Sequence, residues 1–285
     1  MIRNTLLLCL SILFFAAPLT AKELTGTLAQ IKKTGVIRIG HRASEPPMSF
    51  LDDNKKPAGY SIDVCDAIAA AVEKEIGTDI QIKYVPVTAE GRFKALTDNK
   101  IDILCGSTTK TLTRSEIVDF TQLTFVTGAS FMMSGQNSAR TEGFNGKKIG
   151  VMKDTTTVAA VQEILKETET QAEIVLFNSE YDGLEALRKG KIDAFSADQI
   201  VLVGMILAEK DPRTFVIDTN VFSFEPFALA VRRNDADFRL VADREISSLY
   251  RSKKILNIYE KWIGQYVGQS PMLFQALIKL NATPE

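Results

Sequence analysis

Polar and charged side chains follow several short apolar runs of the chain, where they could meet a ligand. They are Arg42, Ser107, Thr109, Arg114, Thr155, Thr156 and Asp198. Hydroxyl groups and the N-terminus of a helix suit an anion, because unpaired backbone N–H groups and the helix dipole favour negative charge there. An arginine adds two parallel donors for a carboxylate, and an aspartate offers a partner for a cationic amine. These residue types together predict a ligand that carries both charges, as an amino acid does.

A repeated phrase predicts where these side chains lie in the fold. Ala95-Leu96-x-x-x-Lys100-Ile101-Asp102 recurs as Ala186-Leu187-x-x-x-Lys191-Ile192-Asp193, and Ser107 or Asp198 follows five residues after each aspartate. Each copy is typical of a helix end, a tight turn and a short apolar strand, which indicates two similar α/β lobes. Open α/β sheets bind ligands beyond the carboxyl ends of their strands, so the two polar residues are expected on opposite walls of one cleft. The alternative is that the phrase is a junction common to any α/β protein.

Strands and helices are predicted to alternate along most of the chain. Predicted strands cover 36–40, 80–85, 101–105, 148–152, 173–177, 194–196, 214–217 and 227–231. Predicted helices cover 61–76, 92–97, 156–166, 181–189, 235–250 and 253–263, and Ser61 is expected to cap the first of them. This alternation predicts an α/β fold of two lobes, each with a central, mostly parallel sheet flanked by helices.

Two crossings are expected to divide the chain between the lobes. The chain is predicted to cross near 124–130 and to return near 222–227. One lobe would then comprise 22–125 with 227–285, and the other 126–226. Such paired linkers form a hinge about which two rigid lobes close over a ligand. The segment 134–145 is predicted to be an exposed loop of the second lobe.

The composition excludes several functional classes. The chain has 285 residues, of which 45% are hydrophobic and 24% charged, with a net charge of -1. This is an ordinary globular composition, and it lacks the basic surface expected of a nucleic-acid-binding protein. No cofactor is expected. Two cysteines and His41 lack the spacing of metal ligands, so no metal site is expected, and His41 is interpreted as structural.

The N-terminus has the features of a secretory signal peptide. Arg3 precedes an apolar run over 6–17, and Pro18-Leu19-Thr20-Ala21 offers a cleavage site. The run is short for a membrane span, so residues 1–21 are predicted to be removed, leaving a soluble periplasmic protein from about Lys22. Cys9 would leave with this segment. Cys65 and Cys105 then form an even pair in an oxidising compartment, which favours a disulfide over two separate buried thiols.

An ordered series of short motifs runs from about Gly35 to Ile263. The motifs are Gly40-His41-Arg42, Gly59-Tyr60-Ser61-x-Asp63, Val87-Thr88 with Arg92, Cys105-Gly106-Ser107-Thr108-Thr109 with Arg114, Asp119-Phe120, Thr155-Thr156, Asp198 and Tyr259-x-Lys261-Trp262. In this order the chain resembles the extracellular solute-binding proteins of amino-acid ABC importers, family 3, and among them the glutamate/aspartate-binding proteins. The resemblance implies the two-lobed, type II periplasmic-binding-protein fold.

The resemblance also implies a role for each candidate residue. Arg114, with Ser107, Thr109 and the Thr155-Thr156 turn, is expected to bind the α-carboxylate of the ligand, and Asp198 its α-ammonium. Arg42 and Arg92 match arginines of the acidic-amino-acid subgroup and are expected to bind a side-chain carboxylate. The protein is expected to be a monomer that delivers its ligand to a membrane permease.

Three positions of the expected site depart from the subgroup's pattern. Asp154 stands where a glycine usually precedes the Thr-Thr pair, Ala89 replaces a serine, and the subgroup's second-lobe histidine is absent. Amino-acid binding is therefore a firmer expectation than acidic specificity. The main alternative is a periplasmic dehydratase of the cyclohexadienyl or arogenate type on the same fold, which needs a general acid or base in the cleft. A ligand-sensing module of a receptor is a third functional class, and it is disfavoured.

Overall fold

Two five-stranded sheets and a small three-stranded sheet form the framework of the protein. The structure is a computed structural model that describes residues 23–135, 141–264, 268 and 270–285. The predicted signal peptide and the centre of the loop expected over 134–145 lie outside the described residues. No described helix combines the length and the apolar composition that crossing a membrane requires.

The strands have the following bounds: β1 Val36–His41, β2 Ser44–Glu45, β3 Ser49–Leu51, β4 Pro57–Ala58, β5 Gln81–Pro86, β6 Ile103–Cys105, β7 Val118–Thr127, β8 Ala129–Ser134, β9 Lys148–Met152, β10 Glu173–Phe177, β11 Ala194–Asp198, β12 Phe215–Ile217 and β13 Glu225–Arg232. The helices are α1 Gly26–Thr34, α2 Tyr60–Ile76, α3 Arg92–Thr97, α4 Thr156–Glu167, α5 Glu180–Arg188, α6 Gln199–Leu207, α7 Ala236–Arg251, α8 Lys254–Tyr259 and α9 Met272–Asn281. A π-helical turn, Glu260–Gly264, follows α8, and short 3-10 turns cover Arg114–Glu116, Thr141–Phe144 and Pro212–Thr214.

The two large sheets have the same topology. The first has the strand order β5-β1-β6-β13-β7, and the second has the order β10-β9-β11-β8-β12. In each sheet three parallel strands are followed by an antiparallel one, β13 or β8, and then by an edge strand paired antiparallel to it. The predicted two-lobed α/β fold is confirmed.

The repeated phrase makes the same contacts in both lobes. Asp102 accepts a hydrogen bond from the backbone N–H of Arg38 at 2.8 Å, and Asp193 accepts one from that of Lys148 at 2.8 Å. The isoleucine before each aspartate packs against a strand glycine: a Cβ at Gly40 would lie 2.4 Å from Ile101 Cδ1, and one at Gly150 would lie 2.5 Å from Ile192 Cδ1. The phrase therefore locks two neighbouring parallel strands together in each lobe.

The chain passes between the sheets at two adjacent places. Gly128 separates β7 from β8, and residues 218–224 separate β12 from β13. The two crossings are hydrogen-bonded, since the N–H of Phe222 donates to the carbonyl of Ala129 at 3.0 Å and the N–H of Ala129 donates to Ser223 Oγ at 2.9 Å. We propose these crossings as the lobe boundaries, beside the positions 125/126 and 226/227 expected from the sequence.

Helix α2 begins one residue earlier than the sequence predicted. Its N-cap is Gly59, whose φ is 131°, and a Cβ there would lie 2.4 Å from the carbonyl oxygen of Met48. The capping role expected for Ser61 is wrong, because Ser61 Oγ donates instead to the carbonyl of Gly106 at 3.0 Å. The predicted apolar stripe of Val64, Ile68 and Val72 is fully buried.

A disulfide joins Cys65 of α2 to Cys105 at the end of β6. It closes a loop with a sequence separation of 40 and holds the strand end that leads to Ser107. The predicted bridge is thus present.

Replacing both cysteines should lower the stability of the protein. We expect Cys65→Ser/Cys105→Ser to reduce the free energy of unfolding by about 4 kcal/mol, because a loop of this length is no longer closed in the unfolded chain. Urea denaturation measures the change, and intact mass with and without reductant checks the bridge in the parent protein. An unchanged denaturation midpoint would contradict this expectation.

Asp102 is the most heavily bonded carboxylate of the first lobe. It is fully buried, and it pairs with Arg38 Nη2 at 2.6 Å and with Arg232 Nη2 at 2.8 Å. Burial alone would raise the pKa of this carboxyl, but the hydrogen bonds from Arg38 and Arg232 outweigh it and hold the pKa below its ordinary value. Ionised Asp102 therefore stabilises the folded protein at every pH above its unfolded-state pKa of about 3.9. This stabilisation is lost as the pH falls through the lower pKa that Asp102 has in the folded state.

We expect Asp102→Asn to destabilise the protein by about 3–5 kcal/mol at neutral pH, because two partly buried guanidinium groups lose their partner. The matched control is Asp193→Asn at the equivalent position of the second lobe, whose side chain is 41% exposed beside Lys147. That change should cost about 1 kcal/mol or less. If urea denaturation shows equal losses of unfolding free energy in the two variants, the stabilising role assigned to Asp102 is contradicted.

Candidate functional site

All eight residues predicted to bind a ligand line one cavity between the two lobes. The cavity has an empty volume of about 460 Å³, which includes solvent space at its mouth. The other lining residues are Glu45, Met152, Thr157, Glu180, Ser196, Ala197 and Val201. The meeting of the eight residues in one cavity is observed, whereas their role in binding stays a prediction.

Strand and helix ends place these residues in the cavity. Arg42 follows β1, Ser107 and Thr109 follow β6, and Asp198 is the last residue of β11. Thr155 is the N-cap of α4, which begins at Thr156. Because the parallel strands of each sheet end at the same edge, the residues that follow them converge there.

Arg92 and Arg114 lie against the same aromatic ring on the wall of the first lobe. Their guanidinium carbons are 4.6 Å and 5.5 Å from the ring centroid of Phe93. Burial, and then repulsion from Arg114 and Arg42, lowers the pKa of Arg92 to about 9. Among the described residues neither Arg92 nor Arg114 forms an ion pair with a carboxylate. The two cations therefore leave this wall in need of an anion.

The hydrogen bonds of both arginines go mainly to backbone carbonyls. Arg114 Nη1 donates to the carbonyl of Thr109 at 2.8 Å. Arg92 Nη2 donates to that of Asp154 at 3.1 Å, and Arg92 Nη1 donates to that of Ala89. The two departures, Ala89 and Asp154, thus hold Arg92 through their backbone. Asp154 has a φ of 60° and an exposed side chain that does not cap α4.

Asp198 faces these arginines from the wall of the second lobe. Its Oδ1 is buried and has no hydrogen-bond partner among the described residues. Burial, and then the charges of Glu225 and Glu45, raises the pKa of Asp198 well above its ordinary value, although Arg114 opposes the shift. Asp198 is the N-cap residue of α6, but its side chain makes no capping hydrogen bond. Its free oxygen is suited to a cationic donor.

Glu225 ties the hinge to both lobes, a role that the sequence did not reveal. Its Oε2 accepts hydrogen bonds from Thr109 Oγ1 at 2.6 Å and from Thr156 Oγ1 at 2.8 Å. Its Oε1 accepts one from Ser223 at 2.8 Å. Two hydroxyls expected to face the ligand are therefore used by the protein. The sequence carries no sign of this role beyond the position of Glu225-Pro226 directly before the predicted strand 227–231.

Arg42 is paired with two carboxylates that the sequence did not single out. Arg42 Nη1 lies 2.7 Å from Glu45 Oε1, and Arg42 Nη2 lies 3.6 Å from Glu180 Oε1. Glu45 also accepts hydrogen bonds from the N–H and the hydroxyl of Ser107 at 3.2 Å and 2.8 Å. Glu180 was missed because α5 begins one residue earlier than predicted, which turns this side chain into the cleft.

His41 has a structural role, as expected. Its Nδ1 lies 3.0 Å from the carbonyl oxygen of Arg42, and its ring meets the edge of Tyr84. Burial lowers its pKa below the ordinary value. No group of three or more potential metal ligands occurs among the described residues.

Comparison with known proteins identifies the relatives of this chain. A model of the bacterial extracellular solute-binding proteins, family 3, matches residues 37–265. A protein of Pseudomonas aeruginosa named L-glutamate/L-aspartate-binding protein is 31% identical over 279 residues, which are 94% of this chain and 92% of that protein.

Two solved structures resemble the fold over most of this chain. An ancestral arginine-binding protein bound to glutamine has a TM-score of 0.72 and 27% identity, and the match covers 81% of this chain and 98% of that protein. An ancestral amino-acid-binding protein, described as a precursor of cyclohexadienyl dehydratase, has a TM-score of 0.70 and 25% identity, over 84% of this chain and 99% of that protein. These structures are binding proteins, and the second lies close to an enzyme lineage.

Proposed function

This chain belongs to family 3 of the bacterial extracellular solute-binding proteins, and from that premise we propose that it captures an acidic amino acid, glutamate or aspartate, between its lobes. The observation that carries the proposal is the opposition of two kinds of unmet charge. Arg92 and Arg114 lie on one wall without a carboxylate partner, and Asp198 lies on the other with a buried, unbonded oxygen. A zwitterion satisfies both walls at once.

The α-carboxylate would be bound mainly by guanidinium and backbone donors. Arg114 offers the charge, and the N-terminus of α4 at Thr155 and Thr156 offers unpaired N–H groups. The hydroxyls contribute less than the resemblance implies, because those of Ser107, Thr109 and Thr156 already donate to Glu45 and Glu225. The hydroxyl of Thr155 donates to the carbonyl of Met152 at 2.7 Å.

The α-ammonium and the side-chain carboxylate would lie at opposite ends of the cavity. The ammonium supplies the donor that Asp198 Oδ1 lacks, and its positive charge favours the ionised carboxylate. Arg92 is the arginine best placed for the second carboxylate, since Arg42 is shared between Glu45 and Glu180. The net requirement is one ammonium and at least one carboxylate, as in every α-amino acid.

The expected cellular role follows from the family. We propose that the signal peptide directs the chain to the periplasm and that the mature protein works as a monomer. Closure over the ligand would create the surface that a membrane permease of an ABC importer recognises, because the ligand binds the closed form better than the open one.

A dehydratase on the same fold is the second candidate, and one observation favours it. Glu180 is a buried carboxyl in the cavity, and burial, followed by the charge of Glu45, raises its pKa to about 7. A carboxyl in that range is suited to general acid catalysis. The named relatives are binding proteins, and we propose that this chain has no catalytic activity. Turnover of prephenate or arogenate without stable amino-acid binding would favour the enzyme instead.

Removing the charge at Arg114 or Asp198 should abolish tight amino-acid binding. We expect Arg114→Ala and Asp198→Asn each to weaken binding of L-glutamate by at least about 100-fold, because each leaves one end of the zwitterion without its partner. Arg114→Lys should lose less affinity for L-glutamate, since lysine keeps the positive charge but lacks the two parallel donors of arginine.

Calorimetry against a panel of amino acids, on protein stripped of ligand by unfolding and refolding, measures these effects. The matched control is Arg213→Ala, a change of an arginine whose side chain is 91% exposed, and it should bind as the parent does. Unchanged glutamate affinity of Arg114→Ala would contradict the site, and a preference for a neutral amino acid over both acidic ones would contradict the acidic specificity.

Close approach of the two lobes depends on Gly204 in α6. A Cβ at this position would lie 2.2 Å from the carbonyl oxygen of Pro46, a residue of the opposite lobe. The lobes also meet at an ion pair of 3.1 Å between Lys153 and Glu90. The structure is therefore a closed form in which a methyl group at residue 204 has no room.

We expect Gly204→Ala to weaken glutamate binding by at least about tenfold, because the closed form is disfavoured and apparent affinity falls with its population. The lobe itself should stay folded, since alanine is favoured over glycine in a helix by about 1 kcal/mol. Small-angle scattering should show that saturating glutamate compacts the parent protein but not the variant. Equal compaction of both would show that closure does not need this contact.

A further inference from the structure

Glu180 spans the cleft from the second lobe to the first, where it contacts Ser44 and Arg42. It is the first residue of α5, and it is 3% exposed. Its Oε2 accepts a hydrogen bond from Ser44 Oγ, and its Oε1 lies 3.6 Å from Arg42 Nη2. Glu180 also lines the cavity, as Arg92 does.

The charges at this end of the cavity are balanced before any ligand enters. Arg42 and Arg92 bring two positive charges, and Glu45 and Glu180 bring two negative charges. A ligand with a side-chain carboxylate adds a further negative charge in a closed, partly dehydrated space. This excess negative charge is unfavourable in a dehydrated cavity, and a proton taken up by one of the carboxylates neutralises it.

Glu180 is the carboxyl that a proton would reach first. Glu45 has the closer contact with Arg42, at 2.7 Å, and it accepts two hydrogen bonds from Ser107. Glu180 has the longer contact with Arg42 and lies near the charge of Glu45. Burial, and then this charge, raises the pKa of Glu180 to about 7, although Arg42 and Ser44 oppose the shift.

Few other ionisable groups act on Glu180. Arg42 and Glu45 face it from the first lobe, Asp198 lies near it at the end of β11, and Tyr181 follows it in α5. Lys153 directly follows β9 at the same edge of the sheet, and it pairs with Glu90 at 3.1 Å. Lys148 and Glu173 begin β9 and β10 and pair with each other at 3.4 Å, and β8 carries no ionisable residue.

We propose that Glu180, in its protonated form, donates a hydrogen bond to the side-chain carboxylate of the ligand, so that capture of a dicarboxylic amino acid takes up one proton. The inference depends on the proposed acidic ligand. The proton comes from the solvent, and no covalent bond of the ligand changes. Glu180 is then a specificity-determining residue, because a ligand with a neutral side chain has no need of the proton.

The direction of the pH dependence follows from this linkage. The ligand carboxylate favours protonated Glu180, so the complex keeps the proton to a higher pH than the ligand-free protein does. Affinity for glutamate should be constant well below the pKa of Glu180 in the ligand-free protein and should fall by up to about tenfold per pH unit above it, which is the signature of one linked proton. Burial also raises the pKa of Asp198, but its proposed partner is the ammonium, which every amino acid carries.

Calorimetry of L-glutamate in pairs of buffers with different ionisation enthalpies, from about pH 6 to about pH 8.5, counts the protons directly. We expect uptake of close to one proton at about pH 8 and about five- to tenfold weaker affinity than at about pH 7. L-Glutamine serves as the reference ligand, because any contribution of Asp198 appears with both ligands and cancels in their difference.

Two variants test the assignment to Glu180. Glu180→Gln keeps a donor of the same shape but cannot titrate, so it should bind glutamate with no pH dependence beyond that of the reference ligand. The matched control Glu90→Gln changes a carboxylate of a different interlobe contact, the ion pair with Lys153, that is 68% exposed, and it should keep the proton uptake of the parent.

Three results would overturn the proposal in distinguishable ways. If the parent protein binds glutamate with no proton uptake, or if Glu180→Gln takes up as many protons as the parent, the proton coupling is wrong and the acidic ligand stands. Loss of glutamate binding by folded Glu180→Gln at every pH also overturns the coupling, since the amide supplies the same donor. Absence of glutamate and aspartate binding to the parent at every pH overturns the proposed acidic ligand, and the coupling with it.

Discussion

The confinement of three arginines in one cleft is the constraint on which the rest of the site depends. Arg42, Arg92 and Arg114 line a single cavity, and their mutual repulsion contributes to the lowered pKa of Arg92. The protein offsets part of this charge with its own carboxylates at Glu45 and Glu180. Among the described residues Arg92 and Arg114 have no ion pair, so closure buries two guanidinium groups without a direct partner, and a ligand carboxylate offsets that cost.

The duplicated scaffold explains how the charges reach one place. The repeated phrase that ends in Asp102 or Asp193 holds two neighbouring parallel strands together in each lobe. The equivalent strands β6 and β11 then lead to Ser107 on one wall of the cavity and to Asp198 on the other. The lobes share their framework but not their chemistry. One wall carries the guanidinium groups and the other the unbonded carboxylate, which makes the cleft selective for a molecule with two separated charges.

Sequence reasoning reached the framework and the eight candidate residues because both have local signals. Apolar runs mark the strands, and the residues directly after them must lie at the carboxyl edge of a parallel sheet. It missed the long edge strand β7 and the start of α5. The strand was missed because its pairing with β13 is set by a distant segment, and the helix start because Glu180 reads as an ordinary acidic residue of a first turn.

By itself the sequence determined the two-lobed fold, the pair of bridged cysteines and the set of residues that meet in the cleft. Each of these depends on short-range patterns or on matches to relatives along nearly the whole chain. Only the tertiary structure decided the charge balance of the site. Glu45, Glu180 and Glu225 come from a loop, a helix start and the hinge, and their effect on the arginines depends on distances across the cleft that no local pattern encodes.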